Sequence, residues 1–377
     1  MRPYVFPYFL LGGVLYFLYL CEKGLIKGIR PKSARWSAYI IMWIFIGLRG
    51  HIMSDFIIYY PFYNETCPSL LILFDAWPAS LFEPGYVLYA SIVKTLGFDY
   101  FAFIAISSLI DIGVFAWFFH RYCKSMILPL IFFVAFNGLL MEFNLLRNIK
   151  AIDLFLLSFP YLQNRKFLPY LLLNILGFSF HNSAALFIPL YFLLDKKMPK
   201  WLIWSSFIAV NIFYFLNISI ISDLMSQLSF LEETRMYDKI TGYASNSDEF
   251  KFSIGYFERT FAFILFSLLY EKLIHQNKSN IIVYNCFWIY YCSFLLFYEV
   301  SVLTERIPFL FMFSYWILYP AVTELNFRYR QIISLIISFL VILKIWTSYN
   351  FEPCKYENVL FGISDYHTRK NIYEKNV

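Results

Sequence analysis

The stretch IFIGLRGHIMSDFIIYYPFYNE, residues 44–65, begins as the end of an apolar run and then sets down Arg49, His51 and Asp55 within seven positions. Tyr59, Tyr60 and Tyr63 follow directly. What these groups do depends on whether the run crosses a membrane, and on which side it ends.

Composition answers the first question. Of 377 residues, 60% are hydrophobic and only 15% charged, with a mean hydropathy of +0.59. That is too little polar surface to cover a water-soluble globule of this size. Apolar runs recur down the whole length between short polar clusters, so the expectation is an all-α polytopic membrane protein with one transmembrane domain over 1–377. The net charge of +6 is modest and spread over loops, which argues against nucleic acid as a partner. The first apolar stretch has no small-residue cleavage site and reads as a retained span.

A span needs about 20 mostly apolar residues. Ten stretches qualify: 4–20, 36–48, 99–119, 126–143, 145–162, 201–222, 255–272, 281–300, 303–322 and 332–349. The excess of Lys and Arg in cytoplasmic loops orients them. Lys23, Lys27, Arg30, Lys32 and Arg35 mark the first loop as cytoplasmic, which puts Arg49, His51 and Asp55 at the external end of the second span. His120, Arg121 and Lys124, and later Arg165 and Lys166, are also expected inside. Residues 84–98 then form an external interfacial or re-entrant helix, and 168–194 a broken re-entrant pair bent near His181. Loops 49–98 and 223–254, the tail 350–377 and both termini are expected outside.

A charge at the bilayer centre costs at least about 2.5 kcal/mol, so ionisable residues in apolar segments are candidates for function. Those expected near the external face are Arg49, His51, Asp55, Arg147, Glu258, Arg259, Glu299, Glu305 and Arg306, with His181 reaching toward them from the hairpin. Arginines among tyrosines in a low-dielectric cavity suit a phosphate-bearing ligand attached to a sugar, because guanidinium binds phosphate through paired donors and stays charged when partly buried. No DxD, HExxH or Gly-rich phosphate loop occurs, so neither a metal nor another cofactor is expected.

The ordered blocks GLRGHIMSDFIIYYPFY, FEPGYVLY, LLRNIKAIDLFLLSFPYLQNRKFLPYLLLNILGFSFHNSAALFIPLYFL and ERIPFLFMFSYWILYP resemble the EpsG family of Wzy-like polymerases, from about Ile44 to Pro320. Two departures stand out: His51 intervenes before Asp55, and Asn148 and Lys150 follow Arg147. The resemblance implies a fold like the GT-C-type membrane glycosyltransferases, in the bacterial cytoplasmic membrane. It further implies polymerisation of undecaprenyl-pyrophosphate-linked oligosaccharide units on the outer face, for O-antigen or exopolysaccharide, with a chain-length regulator as partner. On that expectation Arg49, Arg147 and Arg306 bind the departing pyrophosphate, Asp55 and His181 serve the acceptor hydroxyl with Glu305 behind them, and Tyr59, Tyr60, Tyr63 and Trp77 stack on sugar. The long external loop 223–254 is expected to act as a lid through Glu232, Glu233, Arg235, Tyr237 and Tyr243.

Each assignment has a plainer alternative. Arg49 could snorkel to headgroups, Asp55 could pair with it or cap the next segment, and Arg147 could pair with Asp153 or Glu142. His51 is expected at the surface; His181 could merely satisfy backbone groups freed at the bend, and Glu305 and Arg306 could pair locally. Cys67 and Cys354 alone fall outside, where an oxidising compartment permits a bridge. Rival functions are another lipid-linked sugar transferase or ligase, a flippase and a membrane acyltransferase. A flippase usually shows internal repeats, absent here, and the acyltransferase LRG opens a first span whereas this one closes the second.

Overall fold

The computed structural model describes residues 3–73, 82–216, 218, 253–298 and 306–376. They are mostly helical, with two isolated bridges and no strand among them. The described chain divides into two compact units, Met1–Tyr191 with Tyr319–Val377, and Phe192–Leu318.

The first unit opens with α1 (Phe6–Glu22) and α2 (Pro31–Gly47), both started by a proline in the first turn, where its missing N–H costs nothing. A short α3 (Phe56–Pro61) follows the polar stretch, and α4 (Pro84–Thr95) covers the expected interfacial segment. Next come α5 (Tyr100–Tyr122), capped by the Asp99 carboxylate on the Ala102 N–H, α6 (Leu128–Ala135) and α7 (Gly138–Asn144). The expected single span over 126–143 is broken because Asn137 adopts the left-handed conformation, which Asn tolerates better than most residues. Gly138 then passes against the Phe133 ring where a Cβ would collide.

Helix α8 (Leu146–Gln163) packs along α9 (Phe167–Phe180), which ends at His181. The bend is where the sequence places it. His181 is extended, its ring accepts the Ser183 N–H, and a 3-10 turn (Asn182–Leu186) leads into α10 (Phe187–Leu190). In the second unit, α11 (Lys200–Phe215), α12 (Ile254–Leu268), α13 (Tyr270–Gln276) and α14 (Asn280–Leu296) pack through a polar seam where Asn211 joins the Tyr256 and Tyr291 hydroxyls. Chain order continues with α15 (Phe313–Glu324), α16 (Arg330–Tyr349) and α17 (Tyr366–Asn376).

Among the described residues, α5 and α16 are long and apolar enough to cross a membrane, and α1, α9, α11 and α14 are shorter apolar helices. On α16, Ile332, Leu335, Phe339 and Ile342 form an exposed stripe at helical spacing. Water would not tolerate such a stripe on a stable surface, but lipid does. The chain is therefore a helical membrane protein.

Contacts in the first unit sort the helix ends into two sets. At one end Arg35 pairs with Glu22 at 2.7 Å, Glu22 also takes the Ser125 hydroxyl, and Lys23 pairs with Glu324 at 2.9 Å. At the other, Tyr8 stacks on Tyr349 at 4.0 Å and donates to the Cys354 carbonyl at 2.7 Å. There too residues 350–376 fold back onto the polar stretch. Gly50 donates to the Glu357 carbonyl at 2.9 Å, Val359 to Leu48 at 2.8 Å, and Arg49 and Asn358 form a bridge.

Candidate functional site

Arg147 is the second residue of α8, where the helix leaves N–H groups without intrahelical partners. Its Nε donates to the Tyr59 hydroxyl at 2.7 Å, and Nη1 pairs with the Glu83 carboxylate. The guanidinium lies 4.9 Å from the Phe82 ring centre and 5.8 Å from that of Tyr59, and those rings stack at 5.2 Å. The Arg147 side chain keeps 20% of its surface exposed, so the cation is aromatic-walled yet reachable. Its partner is neither Asp153 nor Glu142 but Glu83, an acid the sequence offered in FEPGYVLY.

Three elements deliver this cluster. Glu83 is the N-cap of α4, whose first residue is Pro84. Gly85 then lets α4 approach α9 so closely that a Cβ would strike the Ser179 hydroxyl and backbone. The bend after α9 closes the third side: the Asn182 N–H points at Glu83 Oε1 at 3.5 Å, and His181 lies directly before it. His181 Nδ1 accepts from the Ser183 N–H at 3.2 Å and lies 2.7 Å from its hydroxyl. A neutral ring that accepts this N–H on Nδ1 carries its proton on Nε2.

Asp55 also joins the cluster. Its Oδ2 accepts the Leu146 N–H at 3.3 Å, at the start of the helix that carries Arg147. Beside it, Ser54 binds Asn144 through both N–H and hydroxyl, which ties the polar stretch to the junction between α7 and α8.

Arg49 stands apart from this group. It is buried and donates to the carbonyls of Ile46 and Glu142, each at 2.7 Å, with Phe143 against its face. His51, expected at the surface, is buried instead among Phe56, Tyr60, Tyr100, Phe101 and Tyr366. Burial, then the nearby Arg369 cation, pulls its pKa from 6.5 down to about 4, so it stays neutral. His51 is buried because the chain after α16 returns and covers the loop. Tyr60 stacks on Tyr366 at 5.2 Å, and Tyr63 is buried with its hydroxyl on the Phe98 carbonyl. Of the three tyrosines, Tyr59 alone touches the arginine site.

Deeper in the first unit, Lys150 pairs with Asp111 and donates to the Ser107 carbonyl at 2.8 Å, clamping α8 to α5, with Glu142 and Asp153 buried nearby. Arg306 is exposed and belongs to the second unit. There Arg259 donates to the Tyr290 hydroxyl at 2.8 Å and lies over Phe294. Glu299, Glu305, Trp77 and the lid residues Glu232, Glu233, Arg235, Tyr237 and Tyr243 lie outside the described residues. Cys67 and Cys354 are free thiols; Cys67 faces Ser91 and Cys354 faces Met53. Among the described residues no group of His, Cys, Asp and Glu has a metal-binding arrangement.

Sequence reasoning missed Glu83, Phe82 and Arg369. A signal existed for Glu83: an acid immediately before a proline that opens a helix. Arg369 had none, since its partners are backbone carbonyls.

The sequence model of the EpsG family matches residues 35–359, most of the chain. No curated protein and no solved structure matches it.

Proposed function

The chain belongs to the EpsG family, a family of polysaccharide-polymerase-type membrane glycosyltransferases, and on that premise we propose that it joins undecaprenyl-pyrophosphate-linked oligosaccharide units outside the bacterial cytoplasmic membrane. The ten-span topology, with both termini and the polar stretch 49–65 outside, belongs to the same proposal. The two sets of helix ends support it, because they group the same loops that the basic residues assign to one side or the other.

The observation that carries the proposal is Arg147: a reachable guanidinium at a helix N-terminus, held by one carboxylate and one phenol between two aromatic rings. A pyrophosphate can replace Glu83 on this cation, with the N-terminus of α8 adding its own positive end. Glu83, released, is then a carboxylate beside the reacting centre. The acceptor hydroxyl gives its proton to that base as its oxygen bonds the anomeric carbon of the growing chain. The bond from that carbon to the pyrophosphate oxygen breaks, and undecaprenyl pyrophosphate leaves with the electron pair on that oxygen, its charge held by Arg147. His181, with its proton on Nε2, can donate to a leaving or sugar oxygen, and Asp55 fixes the start of α8. Arg49 positions the loop through its carbonyl contacts. Arg306 remains a candidate for binding pyrophosphate and Glu305 for the acceptor side, and a chain-length regulator a candidate partner.

The test is the surface polysaccharide ladder from cells whose chromosomal copy carries Arg147→Ala or Arg147→Lys, at verified expression. Collapse to a single repeat unit is expected, because export and ligation survive while polymerisation stops. Loss of every repeat-bearing species would point to a flippase, an unchanged ladder with altered decoration to an acyltransferase, and an unchanged wild-type pattern would overturn the site.

A further inference from the structure

A groove of about 510 Å³ runs along α2 and α5, at the end of the first unit remote from Arg147. Its mouth is basic: Lys32 and Arg35 from the first turns of α2, and His120 from the last turn of α5. The walls are apolar, with Trp36 at the mouth and Trp43 at the far end, where its indole donates to the Ala105 carbonyl at 2.9 Å. Between them Gly113 faces open space, with no atom within 4 Å of where a Cβ would sit. From Lys32 to Trp43 the helix rises about 17 Å at ~1.5 Å per residue. That depth is close to one leaflet of a hydrocarbon core about 30 Å thick.

We propose that this groove binds one anionic glycerophospholipid, with its phosphate at Lys32, Arg35 and His120 and an acyl chain laid past Gly113 to Trp43. Three features select this occupant. The charged side chains that line the groove are at one end only and are cationic, matching a headgroup and not a second helix. The groove length matches a chain confined to one leaflet, whereas a polyprenyl tail would overrun it. The N-terminus of α2 adds its positive dipole end at the headgroup position, and Glu22 holds Arg35 there at 2.7 Å. Under the proposed topology this is the cytoplasmic leaflet, opposite the polymerising face, so the lipid is a structural partner and not a substrate.

The experiment uses the full chain purified in a neutral maltoside detergent, with dioleoylphosphatidylglycerol added and its effect read by thermal melting and native mass spectrometry. One retained lipid per chain and a rise in melting temperature of at least about 2 °C are expected, since a ligand that binds only the folded state stabilises it. Dioleoylphosphatidylcholine and inorganic phosphate should give neither. Lys32→Gln should weaken retention about tenfold. Gly113→Leu, which improves helix propensity while filling the chain path, should abolish it without lowering the lipid-free melting temperature. Equal effects of phosphatidylcholine, reproduction of the shift by inorganic phosphate, tighter binding of undecaprenyl phosphate, or wild-type retention in both variants would each overturn the assignment.

Discussion

At the scale of single residues, the site rests on how Arg147 is held. A hydrogen bond to a charged group contributes roughly 1.5–3 kcal/mol when buried, and less where water competes, as it does at this half-open guanidinium. Tyr59→Phe keeps the ring on Phe82 and removes only the bond at 2.7 Å. Its polymerisation rate on purified lipid-linked units should fall on the order of tenfold, and wild-type turnover would show that the phenol is idle. Glu83→Gln should be more severe in turnover than in binding of the lipid-linked unit, because the carboxylate is assigned to the proton and not to the pyrophosphate. Equal losses in both would leave it a counter-ion only. His51 gives a prediction of a different kind. Between pH 6.5 and about pH 4 the unfolded chain takes up a proton that the folded one refuses, so stability declines as the solution is acidified. At ~1.4 kcal/mol per unit, and with solvent screening discounted, the loss is about 2 kcal/mol. Melting in detergent at pH 7 and pH 4.5 should show this decline in the wild type and a smaller one in His51→Phe; identical declines would place the titrating group elsewhere.

At the scale of elements, the site is a junction, and how much of it was legible depends on what kind of contact makes it. The bend at His181 was legible because an apolar run too long for one span and too short for two must break, and FHNS supplies the capping groups. The break at Asn137 was not, because leucines and phenylalanines continue on both sides and only the Asn–Gly pair marks it. Asp55 was legible as an acid near the site, but its role is a matter of geometry. It accepts the first N–H of α8, as a capping carboxylate does. Asp55→Asn retains a capping oxygen and should keep most of the polymer ladder, whereas Asp55→Ala should lose about 1 kcal/mol at the helix start and shorten the ladder. If Asn were as inactive as Ala at equal expression, Asp55 would be a base and not a cap. The close approach of α4 to α9 gives a parallel test. Gly85→Ala puts a methyl into the Ser179 backbone, which must push Glu83 away from Asn182, and a ladder of wild-type length would show that this approach is not needed.

At the scale of the whole molecule, residues 350–376, expected as an external tail, fold back as a strap. The sequence held the grouping of the helix ends, since the basic loops sort the ends of α1 and α2 as the contacts do. It did not hold the partner, because Arg369 grips carbonyls, and a carbonyl belongs to every residue. Arg369 is buried, with Nε on the His51 carbonyl at 2.6 Å and Nη2 on those of Pro353 and Lys355, each at 3.1 Å. Tyr366 reaches across to the Ile57 carbonyl at 3.0 Å and stacks on Tyr60. The loop that carries Asp55 and Tyr59 is thus held from below by Arg49 and from above by the strap. Removing Arg369 leaves buried carbonyls without donors, a cost on the order of 3 kcal/mol. Arg369→Ala should therefore lower the melting temperature and shorten the ladder, with Arg369→Lys intermediate because one ammonium cannot serve carbonyls spread across the guanidinium fork. The same substitution removes a cation that helps depress the His51 pKa, so the acid-induced decline should shrink in Arg369→Ala. A variant that melts and polymerises as the wild type would show that the loop holds its shape without the strap, braced by Arg49 and by the Ser54 and Asp55 bonds to the junction between α7 and α8.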